Sequence, residues 1–209
     1  MALLVVLATA CGSSGSVGSS SGHAAVTGQE RVDRMVLTDG DLPGYHVQSV
    51  GAESLSDQLS PPRAPQGGLE TRLITAAWVA SEHSTLVAPA EDADPTVFSD
   101  ANLFKSAPAL GRIWVLERAR VPGIQQHDFA LPPGAPAGAH YTHVVDSGGA
   151  AYQISWIEGR VLGIVAVQVS PHAHLPARAL ARIAATLGRA AKAESVRIAA
   201  AVDSSAATV

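Results

Sequence analysis

From His140 to Val169 the chain reads HYTHVVD, SGG, AAYQISWI, EGR and VLGIVAVQV, with apolar positions recurring at every second residue. Period two marks a β-strand, because successive side chains leave a strand on opposite faces. The pattern predicts three consecutive antiparallel strands. Their turns fall at Ser147-Gly148-Gly149 and Glu158-Gly159, where glycine can take the positive φ that tight turns require. In the middle strand Tyr152, Ile154 and Trp156 share one face, and Gln153 and Ser155 the other. The third strand is apolar on both faces, Val161, Val165, Val167 and Val169 against Leu162, Ile164 and Ala166, which places it inside the sheet.

Helical spacing appears elsewhere. Leu69, Leu73, Ile74 and Ala77 fall on one face, with Glu70, Arg72 and Thr75 away from it, a short amphipathic helix. Ser106-Ala107-Pro108 is a helix start, since serine accepts from unpaired first-turn N–H groups and proline is tolerated there. That helix is expected to reach about Ala119 and to present Leu110, Ile113 and Trp114 to the sheet. A strand through Ile113-Trp114-Val115-Leu116 is the alternative that periodicity leaves open. Beyond Pro176, Leu180, Ile183, Ala184 and Leu187 line one side of the clearest helix, and Arg178, Arg182 and Arg189 another. Val32, Met35 and Val36 make at most a short helix.

Two extended runs, Ser81 to Ala88 and Thr96 to Phe104, flank an acidic turn at 91–95, and Tyr45-His46-Val47 with Val50 is a candidate first strand. Proline and glycine make loops of 60–68 and 131–138, and Pro122-Gly123 ends the element before it. The order is helix, strand, strand, helix, three strands, helix. It predicts an α+β fold: an antiparallel sheet of about five strands, two to three helices packed on one face, and the C-terminal helix last. Residues 29–198 form one domain in this reading, and 199–209, small and polar, fray.

Composition narrows the function more than the fold. Hydrophobic residues make up 47% of 209 and suffice for a core; charged residues are 15%, the shortfall being filled by Ala, Gly, Ser and Pro. A formal net charge of −4 with 14 scattered Lys and Arg supplies no basic face for nucleic acid. With Cys11 as the one cysteine, the fold must hold without an intrachain disulfide.

Met1 to Ala10 (MALLVVLATA) is too short to span a bilayer, which takes about 20 residues. It matches the apolar core of a signal peptide. Leu7-Ala8-Thr9-Ala10-Cys11 resembles the lipobox of bacterial lipoproteins, although Ala8 stands where leucine is usual and no basic residue precedes the apolar run. The resemblance implies cleavage before Cys11 and a diacylglycerol on its sulfur. The alternative is a cytosolic chain with a frayed apolar start and a free buried thiol. The stretch after Cys11 favours the anchor: residues 11–28 are a Gly/Ser-rich tether, of which Gly12 to Gly22 would reach roughly 18 Å.

The other distinctive stretches are Leu37-Thr38-Asp39-Gly40-Asp41-Leu42-Pro43-Gly44-Tyr45, Phe104-Lys105-Ser106-Ala107 at a helix start, Trp156-Ile157-Glu158-Gly159-Arg160-Val161, and the closing Ala- and Arg-rich helix. In these, and over most of residues 35–195, the chain resembles actinobacterial cell-envelope lipoproteins and extracytoplasmic kinase sensor domains. That resemblance implies an envelope domain that binds something, and it brings no catalytic residues.

Candidates for chemistry are few. His140 and His143 lie three apart on a strand and point to opposite faces, so they cannot chelate together. His172 and His174, two apart in a loop, are weak metal candidates; three or four ligands at recognisable spacing are missing. The serines cluster in the tether and turns, none at a strand-to-helix elbow. Tyr152, Ile154 and Trp156 are read as core, with the wall of an apolar ligand pocket as the alternative. The expectation is a non-catalytic, sensor-like binding domain without cofactor. It is held to the extracytoplasmic face of the cell membrane through Cys11, with an envelope protein or small ligand as partner. The alternatives are a carrier enclosing an amphiphile in an apolar sheet–helix cavity, and a metal-binding or hydrolytic protein using the loop histidines.

Overall fold

The computed structural model of the chain describes residues 28–58, 68–88, 95–117, 125–146, 149–170 and 175–206. Cys11 and its tether, most of the 60–68 loop, the acidic turn, Pro122-Gly123, Ser147-Gly148, His172 and His174 lie outside the described residues.

The elements are α1 (Gly28–Val32), β1 (His46–Glu53), α2 (Leu55–Gln58), α3 (Leu69–Ala77), β2 (Trp78–Val87), β3 (Val97–Phe104), α4 (Ala107–Glu117), β4 (Gln125–Phe129), β5 (His140–Asp146), β6 (Gly149–Glu158), β7 (Val161–Val169) and α5 (Ala177–Ala206). The predicted meander is present as β5–β6–β7, with Tyr152 opposite Val167 and Ile154 opposite Val165. Gly159 takes φ +59° in the β6–β7 turn. The segment through Ile113 and Trp114 is helical, in α4.

The sheet has seven strands, not five, in the order β1-β2-β3-β7-β6-β5-β4, with every neighbouring pair antiparallel. β7 therefore lies at its centre, and residues 161–167 are all buried. β1 fills the place of the candidate first strand at Tyr45 to Val50, and β4 is the strand the sequence did not reveal; the two sit at the sheet's edges. Both are mostly polar and partly exposed, and the five residues of β4 (QQHDF) show no apolar alternation that would reveal a strand. Polar, short edges also discourage pairing with other chains.

The helices cover both faces of the sheet rather than one. Val161, Val165 and Val167 of β7, Ile154 and Trp156 of β6, and Ala101 and Leu103 of β3 pack with Ile183, Leu187, Ala190 and Ile198 of α5 and with Val32, Met35 and Leu37. On the opposite face Leu162, Ile164 and Ala166 join Phe98 and Phe104, under Ile74 of α3 and Leu110 and Ile113 of α4. A strand apolar on both sides needs both sides covered, and each large side chain so buried is worth about 1.5–3 kcal/mol. α5 also passes the expected fraying point at 199: it remains helical to Ala206, with Ile198 and Ala201 buried.

The distinctive stretches hold the fold together. Asp41 Oδ2 accepts from Thr38 N at 2.6 Å and from Arg197 Nη1 of α5 at 3.2 Å, and Asp39 Oδ1 accepts from Val47 N at 2.7 Å. Lys105 Nζ donates to Ala76 O at 2.6 Å, closing the end of α3, and Ser106 O accepts from Leu110 N at the start of α4.

Candidate functional site

The site is built at the N-terminal end of α5. Pro176 sets the helix start, its carbonyl accepting from Ala179 N at 2.9 Å and Leu180 N at 3.1 Å. There the helix rides over the last residue of β7, Val169, and the approach to β3 at Pro95. Tyr45 Oη donates to Pro95 O at 3.2 Å and ties that approach to the segment before β1. Between these pieces lies a groove of about 560 Å³, lined by Pro95, Val169, Leu175, Pro176, Ala179 and Ile183, with Arg178 and Arg182 at its rim. Ile183 is buried and forms the floor; the two arginines are exposed and stand one helical turn apart.

The floor and walls are aliphatic, so they favour an apolar chain or ring. The two guanidinium groups, with the positive end of the helix dipole, favour an anion at the mouth. The residues named as lining it include no carboxylate, histidine, cysteine or hydroxyl that would act as base or nucleophile.

Tyr152, Ile154 and Trp156, read as core with a pocket wall as the alternative, are not among the residues that line the groove. Ile154 and Trp156 are fully buried, and Tyr152 is 7% exposed. The indole of Trp156 fills the space above Gly163, where a Cβ would come within 2.5 Å of it and within 3.0 Å of Ile198. Leu187 is likewise fully buried, so the middle of the sheet–α5 interface is packed.

Beneath α5 runs a buried polar chain. Leu37 N donates to Ser99 Oγ at 2.9 Å, Leu37 O accepts from Ser84 Oγ at 2.8 Å, and Ser99 Oγ donates to Glu194 Oε2 at 2.6 Å. Glu194 is fully buried; desolvation pushes its pKa well above the carboxylate range, and the Ser99 hydrogen bond only partly offsets this. The second raised carboxyl is Glu82, brought up to about 7 by burial and by the charge of Asp33, and bonded by Gln29 Nε2 at 2.6 Å. Both groups join segments of the fold and lie away from the groove's lining.

The strand histidines divide as expected. His140 lies on the α4 side, its ring tilted against Trp114 at 5.6 Å, whereas His143 lies on the α5 side, stacked on Tyr152 at 4.3 Å and 11°. What the sequence did not reveal is the partner of His143 across the ladder: β4 sets His127 directly opposite it. A polar five-residue edge strand carries no periodicity strong enough to show that pairing.

No protein-family model matches the chain, and no curated protein matches it. Among solved structures it is similar to the extracellular domain of PknH from Mycobacterium tuberculosis, at 9% identity and a TM-score of 0.49, over 86% of this chain and 98% of that one. So remote a likeness assigns no ligand, partner or residue to this chain.

Proposed function

We propose that this protein is a non-catalytic binding domain of the cell envelope, anchored through lipidated Cys11 to the extracytoplasmic face of the membrane, and that the groove at the start of α5 is its ligand site. The observation that carries the reading is the groove itself: about 560 Å³ of aliphatic wall under a rim of two arginines. That volume falls within the roughly 300–1,000 Å³ typical of small-molecule sites. The ligand class it fits is a small amphiphile with one anionic group, its apolar part against Val169 and Ile183 and its acid at Arg178 and Arg182. The packed interface around Trp156 favours a rim-bound ligand over a carrier that swallows a lipid between sheet and helix. The tether of residues 11–28 would let the domain meet such a ligand close to the bilayer.

Titration of the full-length chain with a dansyl-labelled undecanoic acid and with its neutral methyl ester tests the site. Ala179→Trp, placed in the half-buried wall, should fill the groove and weaken both probes more than about tenfold. The double change Arg178→Ala with Arg182→Ala should weaken the acid selectively. Unaltered binding of the acid by the Ala179→Trp variant would refute the assignment. Intact mass of membrane-extracted protein checks the anchor: the expected species begins at Cys11 and carries a diacylglycerol, and an unmodified Met1 with free Cys11 would remove it.

A further inference from the structure

At one edge of the sheet β4 and β5 run antiparallel in a register that places His127 across from His143, with Gln125 opposite Val145 and Phe129 opposite Tyr141. Directly opposed residues of an antiparallel pair share a face, with Cβ atoms about 4.5–5.5 Å apart. Both imidazoles therefore rise side by side from the α5 face of the sheet. The neighbouring strand continues the row, since Tyr152 of β6 is registered with His143 and stacks flat on its ring.

We propose that His127 and His143 form a two-imidazole clamp for a borderline divalent transition-metal ion, Zn²⁺ or Cu²⁺, at the β4 edge. Imidazole nitrogen suits these ions and binds zinc at about 2.0–2.1 Å, a reach that two rings on opposed strand positions can share. A histidine ligates in its neutral form. The stack on Tyr152 restrains the His143 ring without using its nitrogens. Phe129 closes the far side, 5.4 Å from Tyr141 and 5.8 Å from Tyr152.

No set of three or more His, Cys, Asp and Glu able to hold a metal occurs among the described residues. Water therefore completes the coordination of the clamped ion. Such a site is open and exchangeable, unlike the closed four-ligand zinc sites that hold folds together. Neither histidine is among the residues that line the groove, and the test of the clamp does not use the groove's ligand.

Isothermal titration of the metal-free, full-length chain with Zn²⁺ tests the clamp, with ring-nitrogen NMR of the histidines as a second readout. Saturable uptake of one ion is expected, with the His127 and His143 ring signals moving together. His127→Gln, at an exposed edge position, and His143→Gln should each weaken uptake more than about tenfold. The double change His172→Gln with His174→Gln should leave it unaltered. Added Zn²⁺ should raise the thermal midpoint of the wild type and of neither strand variant, because the ion binds only the paired strands. No saturable uptake, full uptake by the strand variants, or loss in the His172/His174 variant would each overturn the proposal. Stationary His127 and His143 signals during zinc addition would do so without any variant.

Discussion

Glu194 lies on the inward face of α5 with none of its surface exposed, and Ser99 Oγ donates to it across the core. Its carboxyl titrates above the ordinary range because the charged form is desolvated. In the unfolded chain a glutamate titrates near about 4.3, so between that pH and the raised native value the folded state holds the extra proton. Stability then falls as pH rises, the opposite of the usual salt-bridged carboxylate. Glu82 acts in the same direction, over a window that ends at about 7. Urea midpoints should accordingly be higher at pH 5 than at pH 8. Glu194→Gln, which keeps the shape and can still accept from Ser99, should gain stability at pH 8 and narrow the difference. An unchanged difference in the variant would show that Glu194 ionises freely in the fold.

Elements meet here through particular residues without side chains as much as through large ones. Gly188, midway along α5, faces the loop between β4 and β5, and a Cβ on it would come within 2.5 Å of Pro133 O. That loop turns back at Gly134, whose φ of +92° few other residues adopt. Alanine ordinarily improves a helix by about 1 kcal/mol over glycine. At 188 the gain is outweighed, because the clashing atom belongs to the backbone. Gly188→Ala should lower stability by about 1–3 kcal/mol, the usual cost of overpacking. Gly111→Ala in α4, where a Cβ meets nothing within 4 Å, should instead raise stability by up to about 1 kcal/mol. Chemical denaturation of the pair separates the two effects, and a stabilised Gly188→Ala would mean that α5 and the loop are not in contact.

The whole molecule is three layers: α5 and α1 on one side, the sheet, then α3 and α4 on the other. Its centre is β7, flanked by β3 and β6, with β1 and β4 at the rims. Amide exchange should follow that order, slowest in β7, β6 and β3 and fastest in β4 and β1, since opening a central strand requires both helical layers to separate. Rapid exchange across residues 161–167 would contradict the arrangement. The groove lies at one end of the central strands β3 and β7 and the histidine pair at the β4 edge, both where side chains stay open without loosening the middle.

Much of this is legible in the order of amino acids alone. Alternation in residues 149–169 marks β6 and β7, glycine at 159 marks their turn, and Ser106-Ala107-Pro108 marks α4, because period and turn chemistry are local properties of a few neighbouring residues. The two-sided apolar pattern of β7 placed that strand inside the sheet, but the order of elements predicts helices on one face only. Amphipathic helices show only that they have an inward face, and which side of the sheet each would take came from packing. The polar edge strand β4, the order of the seven, the groove formed by Pro95, Val169 and Ile183, and the meeting of His127 with His143 all depend on residues apart in the chain. Such pairings come from how the layers close around a shared core, and no local pattern of apolar and polar residues encodes them.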